Sequence, residues 1–226
     1  IFNADGGEVE QCGNGARCFG RFVNALHGGA LKSVAFETLA GLISAEFEGE
    51  RVRINMSEPH SLKLGQPLEV AGETLTVHSI NTGVPHAVVF VDDLDKVDVQ
   101  KLGSGLRCHE AFAPKGTNAN FVQVIAPGSI AIRTYERGVE GETLACGTGV
   151  SASAIVSARV HGFGSPVRVQ VQGGDELRVG FTEQGGEYSD VQLNGPATFV
   201  FEGRIEVGSG TAGTAGLPAR PLEYVT

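Results

Sequence analysis

The chain has 226 residues, of which 41% are hydrophobic, and this is enough apolar material to form one large domain or two small ones. Seventeen Lys and Arg residues against 26 Asp and Glu residues give a net charge of −9, which disfavours nucleic acids and anionic membrane surfaces as partners. The sequence has neither an apolar run of membrane-spanning length nor a signal-peptide pattern, so we expect a cytoplasmic protein.

The first predicted helix covers residues 13–27. Phe19, Phe22, Val23 and Leu26 recur there at helical spacing and define one apolar face. We therefore expect this face to be the one that packs.

The rest of the chain is predicted to be mostly strands, with one more helix. Residues 147–161 are small or apolar almost throughout, which predicts a helix that is enclosed on most sides and is the more buried of the two. Alternating or β-rich apolar runs predict strands at 51–56, 75–80, 87–91, 121–125, 130–135, 167–171, 176–181 and 198–207. The composition of residues 208–226 predicts a flexible tail.

The two predicted helices belong to a duplicated segment. Residues 7–15 and 141–149 share Gly, Glu, Cys, Gly and Gly at matching positions, and His27-Gly28 and His161-Gly162 follow at the helix ends. The offset is 134 throughout (146 − 12 and 161 − 27). Two β-rich halves that each open a helix with Cys-Gly-x-Gly predict a molecule with pseudo-twofold symmetry.

Cys12 and Cys146 are the candidate catalytic residues. The free N–H groups and the dipole at a helix start favour the thiolate, so we expect cysteine pKa values below the ordinary value of about 8.5. Two such sulfurs on opposite faces of one carbon predict an acid and base pair that inverts its stereochemistry, with no cofactor and no metal required. We assign no role to Cys18, predicted to lie in the core, or to Cys108, predicted to lie in a loop.

Several motifs resemble those of the diaminopimelate epimerase family. They are Asn3-Ala4-Asp5-Gly6, Cys12-Gly13-Asn14-Gly15-Ala16-Arg17-Cys18, Tyr135-Glu136-Arg137-Gly138 and the run from Glu142 to Gly149. The resemblance covers residues 1 to about 207 and implies an α/β (α+β) fold of two pseudo-symmetric lobes, each a curved mixed sheet around a central helix. It also implies interconversion of LL- and meso-diaminopimelate, in the biosynthesis of lysine and peptidoglycan precursors.

The resemblance further implies roles for individual residues. Cys12 and Cys146 would be the acid and base pair, supported by His86 and Glu136. Side chains that would bind the distal end of the substrate are Asn3, Asn118 and Arg137, and backbone N–H groups that would bind its reacting carboxylate are those of Gly13, Asn14, Gly147 and Thr148.

The chain departs from the family pattern in two respects. Val84 stands where the family often has Asn, which removes one contact to the distal end of the substrate. Family members carry a segment before Asn3, so we expect part of the first lobe to be missing. The lobes are predicted at residues 1–58, completed by 197–207, and at 59–196, and a homodimer is left open.

Other functions remain alternatives at this stage. A proline or hydroxyproline racemase of the same fold usually has His where Asn14 stands and lacks the Tyr-Glu-Arg-Gly run, so the sequence favours diaminopimelate. A thiol hydrolase gives no reason for a second Cys-Gly-x-Gly motif. A truncated fragment that binds a carboxylate without catalysis is the third alternative.

Overall fold

The protein has an α+β fold built on one large mixed sheet, seen in a computed structural model that describes residues 12–39, 41–204 and 223–224. The helices are α1 (Gly13–Leu26), α2 (Val99–Arg107) and α3 (Gly147–His161), with 3-10 turns at Leu94–Lys96 and Glu110–Phe112. The strands are β1 (Ser33–Thr38), β2 (Gly41–Glu48), β3 (Arg51–Asn55), β4 (His60–Val70), β5 (Glu73–Asn81), β6 (Pro85–Phe90), β7 (Asn118–Ala126), β8 (Ser129–Glu136), β9 (Gly141–Thr143), β10 (Val167–Gln170), β11 (Glu176–Gln184), β12 (Glu187–Pro196), β13 (Gly203–Arg204) and β14 (Glu223–Tyr224).

The large sheet has 12 strands and runs through both sequence halves. Its order is β1-β2-β3-β12-β11-β10-β8-β7-β6-β5-β4, with β9 added beside β8, while β13 and β14 pair separately. The β6–β7 and β8–β10 pairs are parallel and the other pairs are antiparallel. Because Ile54 of β3 pairs with Leu193 of β12, hydrogen bonding is continuous between the first three strands and the rest. A lobe boundary at residue 58 therefore stays a prediction.

Helix α3 lies at the centre of the fold, as predicted. Every residue from Gly147 to Ala158 is buried, and the helix packs against β5, β6, β7, β8, β10, β11 and β12. Its small residues allow these strands to approach on most sides, since a larger side chain would hold them apart. None of the described helices is long and apolar enough to span a bilayer.

Helix α1 differs from the prediction in the face that it buries. Phe19 and Leu26 are exposed, at 47% and 64%, so the predicted apolar face is not the packed one among the described residues. The buried face instead carries Gly13, Ala16, Arg17, Gly20 and Asn24. Small residues are needed there because a Cβ on Gly20 would lie 2.8 Å from the Ala45 Cβ of β2.

The sequence prediction missed helix α2. Gly103 and Gly105 lower helix propensity, and the helix is only nine residues long. Both glycines are explained by close packing on the sheet: a Cβ on Gly103 would meet the Tyr135 Cβ at 2.5 Å, and one on Gly105 would meet the Val70 Cγ1 at 2.7 Å. Glycine is therefore required here by tertiary contact, which the sequence pattern does not reveal.

Most predicted strands were confirmed, but the prediction missed several strands and was wrong for part of one. Strands β1, β2, β4, β9, β12 and β14 were not predicted, and the strand predicted at 198–207 is irregular over 198–202. Val200 and Phe201 have no partner strand among the described residues and are exposed. In the predicted tail, residues 208–222 and 225–226 lie outside the described residues, while Glu223–Tyr224 pairs with Gly203–Arg204.

The duplicated unit predicted from the sequence is confirmed at both ends of the helices. Cys12 and Cys146 are the N-cap residues of α1 and α3, with extended φ values of −135° and −118°. At the other ends, Gly28 and Gly162 have φ values of 69° and 70°, a left-handed conformation that glycine adopts without strain. The two helices are thus equivalent in where they start, and a left-handed glycine follows each of them, although α1 ends one residue earlier, with His27 as its C-cap where α3 has Gly162.

Candidate active site

The starts of α1 and α3 touch one another. A Cβ built on Gly147 would lie 3.1 Å from the Gly13 Cα, and one built on Gly13 would lie 3.3 Å from the Gly147 Cα. The Leu193 Cδ2 atom lies 3.1 Å from both of these positions, so this one side chain packs under both helix starts. Because each glycine directly follows an N-cap cysteine, the contact brings the two Cys-Gly motifs together.

A side-chain hydrogen bond also joins the two motifs. Asn14 Nδ2 donates to the Ala145 carbonyl at 3.0 Å, linking the first turn of α1 to the residue before Cys146. Arg17, which is buried, donates to Asn14 Oδ1 at 3.0 Å and to the Gly13 carbonyl at 3.3 Å. Asn14 thus uses its side chain to hold the helix starts in register.

The first-turn amides of both helices are candidate donors for an anion. In an α-helix these N–H groups have no acceptor within the helix, and the dipole adds partial positive charge. The amides predicted to bind a carboxylate belong to this set: those of Gly13, Asn14, Gly147 and Thr148.

Cys12 caps α1 with its sulfur. The Gly15 N–H donates to Cys12 Sγ at 3.4 Å, and the residue is partly buried.

Cys146 has a different environment, and its expected low pKa is wrong. The residue is only 8% exposed, and burial raises the pKa of its thiol to about 12, with the negative charge of Glu136 as the next cause. The Thr148 hydroxyl, 3.4 Å from Cys146 Sγ, acts in the opposite direction. Desolvation therefore outweighs the helix start, and Cys146 is a protonated thiol at neutral pH.

Glu136 lies at the end of β8, close enough to Cys146 to influence its ionisation. Its carboxylate Oε1 accepts a hydrogen bond from the Thr143 hydroxyl on the neighbouring strand β9. Strand β9 pairs with β8 and ends three residues before Cys146 in the chain. The hydrogen bond from Thr143 therefore holds the Glu136 carboxylate beside the start of α3.

His86 is fully buried in a polar network. Its Nδ1 lies 3.1 Å from Asn120 Nδ2, and its Nε2 is buried without a partner among the described residues. Burial, with a smaller effect of the Arg137 charge, lowers the pKa of His86 to about 3, so the imidazole is neutral. A Cβ on Gly149, in the first turn of α3, would lie 3.3 Å from the His86 Cε1 and 3.4 Å from the Cys146 Cβ.

Asn118 and Arg137 lie together at the edge of this region. Asn118 Oδ1 accepts from the Arg137 backbone N–H at 2.8 Å, and Asn118 Nδ2 donates to the Pro85 carbonyl at 3.2 Å. Asn118 therefore ties the residue after β8 to the residue before His86. The Arg137 guanidinium donates to the Lys115 carbonyl at 3.3 Å on an exposed surface.

The remaining sequence predictions have mixed outcomes. Asn3 lies outside the described residues. Cys18, predicted to be core, is exposed, as is Cys108. Among residues 12–39, 41–204 and 223–224, no group of three or more His, Cys, Asp or Glu side chains is placed to hold a metal ion.

Sequence analysis missed three polar residues that support the site: Asn120, Thr143 and Thr82. The buried Thr82 hydroxyl donates to the Thr148 carbonyl at 2.9 Å and so anchors the first turn of α3. Asn120 had a detectable signal, because it lies two positions after Asn118 and so faces the same side of β7. Thr143 had none, since its contact depends on the pairing of β8 with β9.

Comparison with known proteins identifies the family. The diaminopimelate epimerase family model matches residues 1–62 and 78–200. The chain belongs to the diaminopimelate epimerase family. Among curated relatives, the diaminopimelate epimerase of Aquifex aeolicus is 48% identical over 209 residues, covering 91% of this chain and 73% of the relative. The corresponding protein of a Hydrogenobaculum species is 46% identical over 210 residues, with the same shares covered.

The fold of this diaminopimelate epimerase family member is also similar to that of solved structures with low sequence identity. A probable proline racemase from Agrobacterium radiobacter superposes with a TM-score of 0.63 at 20% identity, covering 86% of this chain and 67% of that one. A PhzF-family phenazine biosynthesis protein from Bacillus anthracis has a TM-score of 0.68 at 15% identity, covering 89% and 78%. These neighbours share the mixed-sheet fold, as predicted.

Proposed function

We propose that the chain interconverts LL- and meso-diaminopimelate by proton transfer between two cysteines, Cys12 and Cys146, without a cofactor. The observation that carries this proposal is the contact between Gly13 and Gly147, which brings two cysteine-capped helix starts to one place. Relatives named diaminopimelate epimerase, 46–48% identical over 91% of the chain, support the choice of substrate.

The environments of the two sulfurs suggest complementary starting states. Cys146 is a thiol with its pKa raised to about 12, so it starts with a proton to donate. Cys12 is more exposed than Cys146 and accepts the Gly15 N–H, and we assign it the role of the base in the first direction. In one direction the Cys12 thiolate removes the α-proton while the Cys146 S–H group protonates the opposite face of the carbon.

The reverse reaction exchanges these roles. Once Cys146 has given up its proton it is a buried thiolate near the Glu136 carboxylate, an unfavourable state that makes it a strong base. It recovers its proton by removing the α-proton of the inverted substrate. Cys12, protonated in the first step, then supplies the proton to the other face.

The starts of α1 and α3 stabilise the negative charge that develops on the substrate between the two proton transfers. Loss of the α-proton places negative charge on the substrate α-carboxylate, and the first-turn N–H groups of α1 and α3 are donors for it. His86 adds a neutral imidazole beside the first turn of α3. We propose that Asn118, Arg137 and Asn3 bind the distal amino-acid group, with Arg137 as the cation for its carboxylate.

The test is solvent deuterium incorporation at the α-carbon of LL-diaminopimelate, with proline as the alternative substrate. Cys12→Ala and Cys146→Ala should each abolish epimerisation, while the matched variants Cys18→Ala and Cys108→Ala, at exposed cysteines, should keep it. Exchange with proline but not with diaminopimelate would favour a racemase of the same fold. Near-normal turnover in either Cys12→Ala or Cys146→Ala would contradict the two-base mechanism.

A further inference from the structure

Asn120 is a fully buried amide at the centre of a hydrogen-bonded network behind the proposed reaction centre. Its Nδ2 donates to the Ala87 carbonyl at 2.9 Å and lies 3.1 Å from His86 Nδ1. Its Oδ1 accepts from the Thr134 hydroxyl at 3.1 Å. Asn120, His86 and Thr134 are all buried, at 0%, 0% and 2% exposure, so water does not compete for these bonds.

The Ala87 carbonyl fixes the orientation of the amide. A carbonyl oxygen can only accept, so the atom of Asn120 that faces it must be the NH2 group. The amide oxygen is then the atom that faces Thr134, whose hydroxyl donates to it. Strand pairing keeps these partners in place, because Asn120 lies opposite Thr134 across β7 and β8.

The orientation of Asn120 in turn fixes the tautomer of His86. Both hydrogens of Nδ2 are donors, one to Ala87 and one to the imidazole, and an amide nitrogen does not accept hydrogen bonds. His86 Nδ1 must therefore present a lone pair, and the proton of the neutral ring lies on Nε2. That Nε2 atom is buried and has no partner among the described residues.

The edge of the His86 ring that carries both nitrogens lies next to the start of α3. Cε1, the carbon bonded to both ring nitrogens, lies 3.3 Å from where a Gly149 Cβ would be. That same position is 3.4 Å from the Cys146 Cβ. The ring nitrogens thus lie beside the start of α3, where the proposed reaction develops negative charge.

We propose that Asn120 is a positioning residue that holds His86 as the Nε2–H tautomer, so that His86 acts as a hydrogen-bond donor in the reaction and not as a base. With Nδ1 occupied by Asn120 and Nε2 already protonated, the neutral ring has no free site for a proton. The expected effect of Asn120 on kcat rests on the proposed function, whereas the assignment of the His86 tautomer does not.

The first measurement is the 15N NMR spectrum of the histidine rings in the purified full chain, with His86 assigned by comparison with His86→Gln. The expected spectrum shows Nδ1 unprotonated and Nε2 carrying hydrogen. A ring protonated at Nδ1, or at both nitrogens near neutral pH, would overturn the proposal. This result is independent of any enzymatic activity, and it stands even if Asn120 variants do not fold.

The second measurement uses variants of the amide. Asn120→Asp replaces the donor to Nδ1 by an acceptor, so we expect the proton to move to Nδ1 and kcat to fall by about 10²-fold with KM unchanged. Thr134→Val is the matched control, because it removes the bond to Oδ1 and leaves both Nδ2 bonds in place. It should keep the tautomer and most of kcat.

The combined outcomes separate this proposal from the proposed function. A changed tautomer in Asn120→Asp with unchanged kcat would refute the positioning role. Loss of kcat with the Nε2–H tautomer intact would also refute it, because the effect would then be merely structural. A wild-type chain that shows the expected tautomer but no exchange with diaminopimelate would count against the proposed function and leave the tautomer assignment standing.

Discussion

Gly13 and Gly147 face each other so closely that a methyl group at either position would make contacts tighter than ordinary van der Waals packing. The Gly13 Cα lies 3.1 Å from where a Gly147 Cβ would be, and both atoms that limit the space around Gly147 belong to buried or backbone groups. Glycine at these positions is thus a packing requirement, separate from its role in exposing backbone N–H groups. It sets how closely the two cysteine-bearing helix starts can approach.

Gly147→Ala should separate the helix starts and impair the reaction more than the fold. We expect the free energy of unfolding to fall by about 1–3 kcal/mol from overpacking and turnover to fall by at least about 10²-fold. Urea unfolding and deuterium exchange measure the two effects. Gly164→Ala is the matched control, since a Cβ there meets nothing within 4 Å. Equal turnover in the two variants would show that the contact is unimportant.

Glu136→Gln should make the Cys146 thiol easier to ionise. The negative charge of Glu136 contributes to the raised pKa of Cys146, and the amide removes that charge while keeping the shape. Iodoacetamide alkylation of Cys146, followed by mass spectrometry as a function of pH, should therefore show a profile shifted to lower pH. Glu110→Gln, on an exposed 3-10 turn, should leave the profile unchanged. A profile that does not move in Glu136→Gln would rule out this electrostatic effect.

Stability should fall on acidification because His86 resists protonation in the folded state. Its folded pKa of about 3 lies below the ordinary value of 6.5, so between these values the unfolded chain binds a proton that the folded chain excludes. The free energy of unfolding then decreases by up to about 1.4 kcal/mol per pH unit as the pH falls below 6.5.

Urea unfolding at several pH values checks this slope. His86→Gln should have a shallower dependence between pH 6.5 and 5, because glutamine does not titrate there. His60→Gln, at an exposed histidine, should keep the wild-type slope. The same slope in all three proteins would show that His86 does not contribute.

Removal of the hydroxyl group should stabilise the fold more at Ser157 than at Ser151, although both serines lie in α3. Ser157 Oγ is buried without a hydrogen-bond partner among the described residues, whereas Ser151 Oγ donates to the Gly147 carbonyl at 3.1 Å. Ser157→Ala should raise the free energy of unfolding by about 1 kcal/mol, because it removes an unsatisfied polar group.

Ser151→Ala provides the comparison within the same helix. Both substitutions gain the same helix propensity, so their difference reports the hydrogen bond. Thermal unfolding should place Ser157→Ala above Ser151→Ala. The reverse order would indicate that the Ser157 hydroxyl has a partner that stabilises the fold.

Local signals in the sequence predicted the parts of this protein that depend on local chemistry. The repeat placed Cys12 and Cys146 at equivalent helix starts, and the small residues of α3 indicated its enclosure. Features set by neighbours in space were not predictable. Gly103 and Gly105 lower the helix propensity of α2, and the close packing that requires them is set by the sheet. Helix α1 buries a face that includes Arg17 and Asn24 in place of its apolar one.

The same distinction applies to the candidate site. A helix start lowers the pKa of a cysteine in water-exposed surroundings, but the burial of Cys146 reverses the effect, and burial is a property of the assembled fold. Similarly, the tautomer of His86 depends on an amide from another strand and a carbonyl from its own.

Leu193 packs beneath both helix starts, although it lies in β12, close to the far end of the described chain. The contact between α1 and β12 closes a loop that includes nearly every other element of the fold. Long loops are closed late in folding, because the entropic cost must be met before the contact contributes. The packing of Leu193 against the two helix starts is therefore expected to form late, after β12 has joined the sheet.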